Sequence, residues 1–167
     1  MSILYKTYFH GGTTKKNTIV FKKRIPDALY KKIHKTMIVV CVDLVVKHGK
    51  EFLLVKRKND PLKGEWFLPG GRVYKGEGLR AAALRKLKEE VGLRGRVRKL
   101  LGAGEQFVKD GYYPKVSAHV VSFIFLVDTK SKKSVQLDSQ SEAFAWFKKI
   151  PAKLHPYVKD FLREAGF

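Results

Sequence analysis

Residues 66–93 read WFLPGGRVYKGEGLRAAALRKLKEEVGL, and this stretch constrains the chain more than any other. A short apolar strand, 66–73, is broken by Pro-Gly-Gly, since proline has no N–H for a ladder and glycine relaxes the backbone. A helix is expected from about residue 79 to 91. Its apolar residues Leu84, Leu87 and Val91 recur at helical spacing, and Gly92 stands where a left-handed C-cap is wanted. The chain must therefore pass from strand through an open glycine loop into a short capped helix. On that helix Lys86, Glu89 and Glu90 share a face. Two adjacent carboxylates there suit a hard cation such as Mg²⁺, and the bare backbone at Gly70 and Gly71 can meet a metal or a phosphate. Glu77, eight residues before Arg85, is placed to close the loop with a charge-assisted bond.

Around this unit the pattern is mixed. TMIVVCVDLVV (36–46) reads as a central strand, and KHGK turns the chain into EFLLVKR (51–57). Further strands are expected around 95–108, 116–128 and 143–148. Pro26 opens a short helical pattern with Leu29 and Ile33 on one side. A last helix starts near Pro156 and sets Val158, Phe161, Leu162 and Ala165 on one side. This order predicts an α/β (α+β) fold with a mixed sheet and helices on its faces. At 167 residues one domain is expected, at 26–167, preceded by a basic arm or hairpin at 1–25 in which ILYKTYF and NTIVFKK flank HGGTTKK.

The 35 Lys and Arg against 15 Asp and Glu leave a formal charge of +20. That predicts attraction to polyanions, with a small nucleotide favoured over nucleic acid because no aromatic-plus-basic RNA-binding signature is present. No membrane span is expected. The single cysteine, Cys41, in an apolar run, points to a buried thiol in a cytoplasmic protein.

The spacing Gly71, five residues, Glu77, seven residues, Arg85-Lys86-Leu87-Lys88-Glu89-Glu90-Val91-Gly92-Leu93 resembles a Nudix box, with Lys86 in place of a glutamate. The resemblance implies a Nudix fold, an α/β/α sandwich, and Mg²⁺- or Mn²⁺-dependent hydrolysis of nucleoside diphosphate derivatives. It implies that Glu89 and Glu90 bind the metal, joined by the Gly70 carbonyl, and that Gly71, Glu77, Arg85 and Gly92 are structural. Over roughly residues 26–150 the chain is also similar to the GDP-mannose mannosyl hydrolases. That implies attack on the sugar's anomeric carbon and a homodimer, with Arg57 and Arg72 on the diphosphate, Gln140 as a distal metal ligand and Asp43 on the sugar.

There are departures. Lys86 removes one negative charge and adds a positive one, which suits a single ion, or a direct contact to substrate phosphate. The subfamily's basic histidine position holds Ser141. Glu142, one residue on, is the expected replacement, with His119 and Glu105 as alternatives. His10, His34, His48 and His155 read as surface or helix-end residues. Tyr112 and Tyr113 offer a stacking surface for a base. Two other readings remain open: attack at phosphorus on ADP-ribose, a nucleoside triphosphate or a dinucleotide, and a Nudix-fold module that binds nucleotide or RNA with little turnover.

Overall fold

The computed structural model describes the chain except residues 1–4, 9, 12, 13, 16, 17, 23, 24 and 134. Its elements run α1 (Asp27–Thr36), β1 (Val39–His48), β2 (Glu51–Arg57), β3 (Trp66–Phe67), β4 (Gly70–Arg72), α2 (Leu79–Val91), β5 (Gly95–Val108), β6 (Ala118–Thr129), β7 (Ser141–Phe147) and α3 (Pro156–Glu164). The expected elements from residue 26 onward are present, and the sheet is mixed as predicted. β1 lies parallel to β6, which pairs antiparallel with β5.

The sheet is split on the other side of β1. Only residues 46–48 of β1 pair with β2, while Cys41, Val42 and Asp43 pair instead with β4. β3 and β4 fill the gap, because Pro69 interrupts the strand that would otherwise be continuous. The Pro69 carbonyl still accepts from the Leu44 N–H at 2.9 Å.

Strand alternation builds two cores. Val42, Leu44, Val46, Leu53, Val55, Phe125 and Val127 face α2, packing on Leu87 and Val91. Val45, Phe52, Leu54, Ile124 and Leu126 face α3, packing on Val158 and Leu162. Each fully buried Leu or Val on these faces stabilises the fold by roughly 1.5–3 kcal/mol. Sheet residues buried on both faces explain the unbroken apolar run of β1.

Two helix faces differ from the sequence reading. On α2 the buried stripe is Ala82, Ala83, Lys86, Leu87, Glu90 and Val91, and Leu84 is 41% exposed. Small alanines let the helix approach β1 and β4, which turns Leu84 outward. Leu29 of α1 is also exposed, and α1 buries no residue fully. The expected N-terminal hairpin has no strand among its described residues, 5–8, 10, 11, 14, 15, 18–22 and 25, and the rest of it lies outside the described residues. Instead the segment at 18–21 runs beside the glycine loop, with the Phe21 N–H donating to the Lys75 carbonyl at 2.9 Å. A Cβ on Gly76 would stand 2.2 Å from the Ile19 carbonyl oxygen, so that crossing depends on glycine.

Candidate active site

Where β1 and β2 separate, the sheet leaves a cavity of about 340 Å³. Cys41 and Asp43 of β1 and Val120 and Ser122 of β6 form its floor, on the α3 side of the sheet. Lys86 and Glu90 reach it from α2 across the gap, and Arg57, Gly70, Arg72, Gln140 and Ser141 line its walls.

The loop before α2 is closed by a two-point ion pair. Arg85 donates from Nε to Glu77 Oε1 and from Nη2 to Glu77 Oε2, both at 2.7 Å. Arg85 Nη2 also donates to the Arg72 carbonyl at 2.9 Å, and the guanidinium lies 3.9 Å from the centre of the Tyr74 ring. Burial alone would push the Glu77 carboxyl up, but Arg85 and the Tyr74 N–H outweigh it and hold the group below its ordinary range. Gly92 closes the other end with φ 70°, its N–H donating to the Lys88 carbonyl. Glu77, Arg85 and Gly92 thus fix the two ends of the loop–helix unit that follows Gly71.

The carboxylates of α2 differ in surroundings. Glu89 is exposed and accepts from Arg85 Nη1 at 2.8 Å. Glu90 is buried and paired with the Lys86 ammonium, which also stands 3.4 Å from Glu89 Oε2. Burial raises the Glu90 pKa, and Lys86 opposes that rise. Glu90 and Gly70 line the cavity while Glu89 does not, and carboxylate and carbonyl oxygens are donor types that suit a hard divalent ion. Among the described residues no group of three His, Cys, Asp or Glu stands close enough to hold an ion alone. The set therefore fits an ion that keeps waters or takes oxygens from a substrate, as Mg²⁺ does, rather than an all-protein cage.

Two guanidiniums line the cavity without a carboxylate partner among the described residues. Arg57 spends Nε on the Pro61 carbonyl at 2.7 Å, and its terminal nitrogens have no hydrogen bond among the described residues. Arg72 lies 5.3 Å from the centres of both the Tyr30 and Tyr74 rings. Asp43 is buried and accepts from the Tyr157 hydroxyl at 2.5 Å. Burial raises its pKa, opposed by that hydrogen bond. A Cβ on Gly70 would stand 2.2 Å from Asp43 Oδ1, so only glycine lets β4 pass this carboxylate. Gln140 is exposed at the rim and bonds to Asp138.

Several expected residues lie elsewhere. Glu142 is the extra residue of a bulge, because Ala143 pairs with Lys56 and Ser141 with Arg57. It bonds Lys56 at 2.7 Å and does not line the cavity. His119 and Glu105 pair at 2.8 Å on the opposite face of the sheet, with His119 stacked on the exposed Phe107. Tyr113 is not a stacking surface: its hydroxyl donates to Asp27 Oδ1 at 2.8 Å, it lies outside the cavity, and its pKa is pushed up to about 12 by burial and that carboxylate. Tyr112 does line the cavity. Cys41 is half-buried at the floor, with burial and Asp43 pushing its thiol up to about 12.

Sequence reasoning missed Tyr30, His34, Tyr74 and Tyr157. Tyr30 and His34 sit one turn apart on α1, edge to face at 4.5 Å, and both line the cavity. Their i, i+4 spacing was the available signal. His34 is a helix-end residue as expected, but its ring nitrogens are buried without a hydrogen-bond partner among the described residues, and burial followed by Arg72 lowers its pKa. His155 caps α3 by accepting from the Tyr157 N–H.

A family signature described as NUDIX domain matches residues 34–164. The chain is 36% identical over 140 residues to the low-salt glycan biosynthesis protein Agl8 of Haloferax volcanii, covering 83% of this chain and 89% of that protein. It is 35% identical over 128 residues to an ADP-ribose pyrophosphatase of Methanocaldococcus jannaschii, covering 74% and 73%. The fold is shared with a crystal structure of a MutT NUDIX hydrolase from Burkholderia pseudomallei, at TM-score 0.65 and 24% identity over 77% of this chain and 98% of that one.

Proposed function

Because this chain belongs to the Nudix family of hydrolases, we propose that it hydrolyses a nucleoside diphosphate sugar, with the GDP-mannose type as the first substrate to test. The observation that carries this reading is a pair of guanidiniums, Arg57 and Arg72, that have no carboxylate partner among the described residues and face one cavity with Glu90 of α2. Planar guanidinium forks bind phosphate oxygens in pairs, so the two are suited to a diphosphate. The relative whose name refers to glycan biosynthesis, similar over most of both chains, supports a sugar nucleotide.

Glu89 and Glu90 would hold a divalent ion, Mg²⁺ or Mn²⁺, with the Gly70 carbonyl and Gln140 as further oxygen donors. Such an ion supplies charge neutralisation on the diphosphate. The protein's own part begins with Arg57 and Arg72, which orient the diphosphate. Tyr30, Tyr74 and Tyr112 form an aromatic wall next to Arg72. Asp43 is the proton acceptor in this reading, in place of the sugar contact the resemblance implied. It lines the cavity, makes no salt bridge among the described residues, and is held at Oδ2 by Tyr157. Glu142, His119 and Glu105 do not line the cavity, and Ser141 is a poor base at neutral pH. A homodimer in the cytoplasm is part of this proposal by resemblance alone.

A second reading is phosphorus attack on ADP-ribose. It is favoured by the ADP-ribose pyrophosphatase relative and by Ser141 where the mannosyl hydrolases carry histidine. Hydrolysis in ¹⁸O-water separates the two. Label in the free sugar is expected for the first reading; label in a phosphate supports the second. No release from either GDP-mannose or ADP-ribose, with Glu90→Gln identical to the native chain, would sink both.

A further inference from the structure

The Lys86 ammonium stands within ion-pair reach of both α2 carboxylates, in contact with Glu90 Oε1 and 3.4 Å from Glu89 Oε2. This is not an ordinary solvent-facing i, i+4 pair. Lys86 is 8% exposed and Glu90 6%, and both belong to the buried stripe of α2. A second segment makes the room. The end of the lysine lies over Gly71, where a Cβ would come 2.9 Å from Cε and 3.2 Å from Nζ. Gly71 has φ +147°, a conformation that side-chain-bearing residues rarely adopt. Helix spacing and a bare α-carbon thus converge on one seated cation.

We propose that Lys86 is a built-in monovalent cation that competes with the divalent ion for Glu90, and that it yields when the substrate's diphosphate draws the ammonium onto its own oxygens. The proposal rests on the reading above, in which Glu90 is a metal ligand. Two cations on one carboxylate repel each other, so the ammonium weakens divalent binding while it stays. The lysine stem is flexible and its ammonium carries three rotatable donors, so a move from carboxylate to phosphate exchanges one charged partner for another. Arg57 and Arg72 bring the diphosphate into the same cavity. The site then admits its divalent ion together with substrate rather than ahead of it.

The test uses the full chain without turnover. Mn²⁺ affinity is measured by electron paramagnetic resonance in the absence of nucleotide, and ADP affinity by calorimetry in the absence of metal. Lys86→Met is expected to bind Mn²⁺ about tenfold more tightly or better, and ADP severalfold more weakly, than the native chain. Lys86→Gln, whose amide still donates to Glu90 without charge, replaces it if the methionine variant is unstable. Native-like Mn²⁺ affinity in both variants overturns the competition, and native-like ADP affinity overturns the transfer to phosphate. Glu90→Gln separates this from the underlying reading. If both Lys86 variants bind Mn²⁺ like the native chain and Glu90→Gln loses it, the metal site stands and Lys86 alone was misassigned. If no variant binds Mn²⁺ at millimolar concentration, both fall.

Discussion

The end of the Lys86 side chain rests against Gly71, at a distance that leaves no space for a Cβ. A strand glycine and a helix lysine fifteen residues apart are therefore one unit. Gly71→Ala adds a methyl in a strained φ and pushes the lysine off its seat. We expect a stability loss of about 1–3 kcal/mol and a fall in activity. Thermal unfolding and turnover of the variant check this, and native-like values for both would show that the contact is incidental.

Glu77→Gln removes the carboxylate that holds Arg85. Arg85 keeps Glu89 and the Arg72 carbonyl, so the expected cost at pH 7 is about 2–4 kcal/mol, toward the lower end of what breaking a buried pair costs. The sign with pH follows from the direction of the shift. The folded Glu77 pKa is depressed, so its stabilisation is present above the ordinary value and is lost as pH falls through the folded one. The gap in melting temperature between native and variant chains narrows below about pH 4. A gap constant from pH 3 to 7 would contradict the ion-pair account.

Asp43→Asn is predicted to trade activity for stability. Burial raises the Asp43 pKa, so the ionised group costs stability at neutral pH, and that cost fades as pH falls through the raised value. The asparagine carbonyl still accepts from Tyr157. We expect a higher melting temperature at pH 8 that converges with the native chain at low pH, together with a loss of kcat of about a hundredfold or more, the scale of general-base catalysis. Unchanged kcat would remove Asp43 from the chemistry.

Arg72→Lys keeps the charge but loses the planar fork and its stacking between Tyr30 and Tyr74. KM for a nucleoside diphosphate sugar is expected to rise about tenfold, the scale of one charge-assisted contact. Steady-state kinetics over a range of substrate concentration would reveal it. A fall in kcat with KM unchanged would move Arg72 from binding to the chemical step.

What the chain determined by itself lies close along it. Gly71, Glu77, Arg85 and Gly92 were legible because the loop, the helical period and the C-cap act over some twenty residues. The shared face of Lys86, Glu89 and Glu90 was legible for the same reason. What the tertiary structure decided is which distant side chains share the cavity, and there a single residue of strand parity matters. Ser141 lines it while its neighbour Glu142, the bulged residue, turns to Lys56. Val120 and Gln106 line it while His119 and Glu105 point to the other face. Side chains alternate along a strand, and a bulge resets the count. Which face meets the split between β1 and β2 is set by pairing between strands some eighty residues apart, as in β1 with β6. Local spacing carries no trace of that pairing.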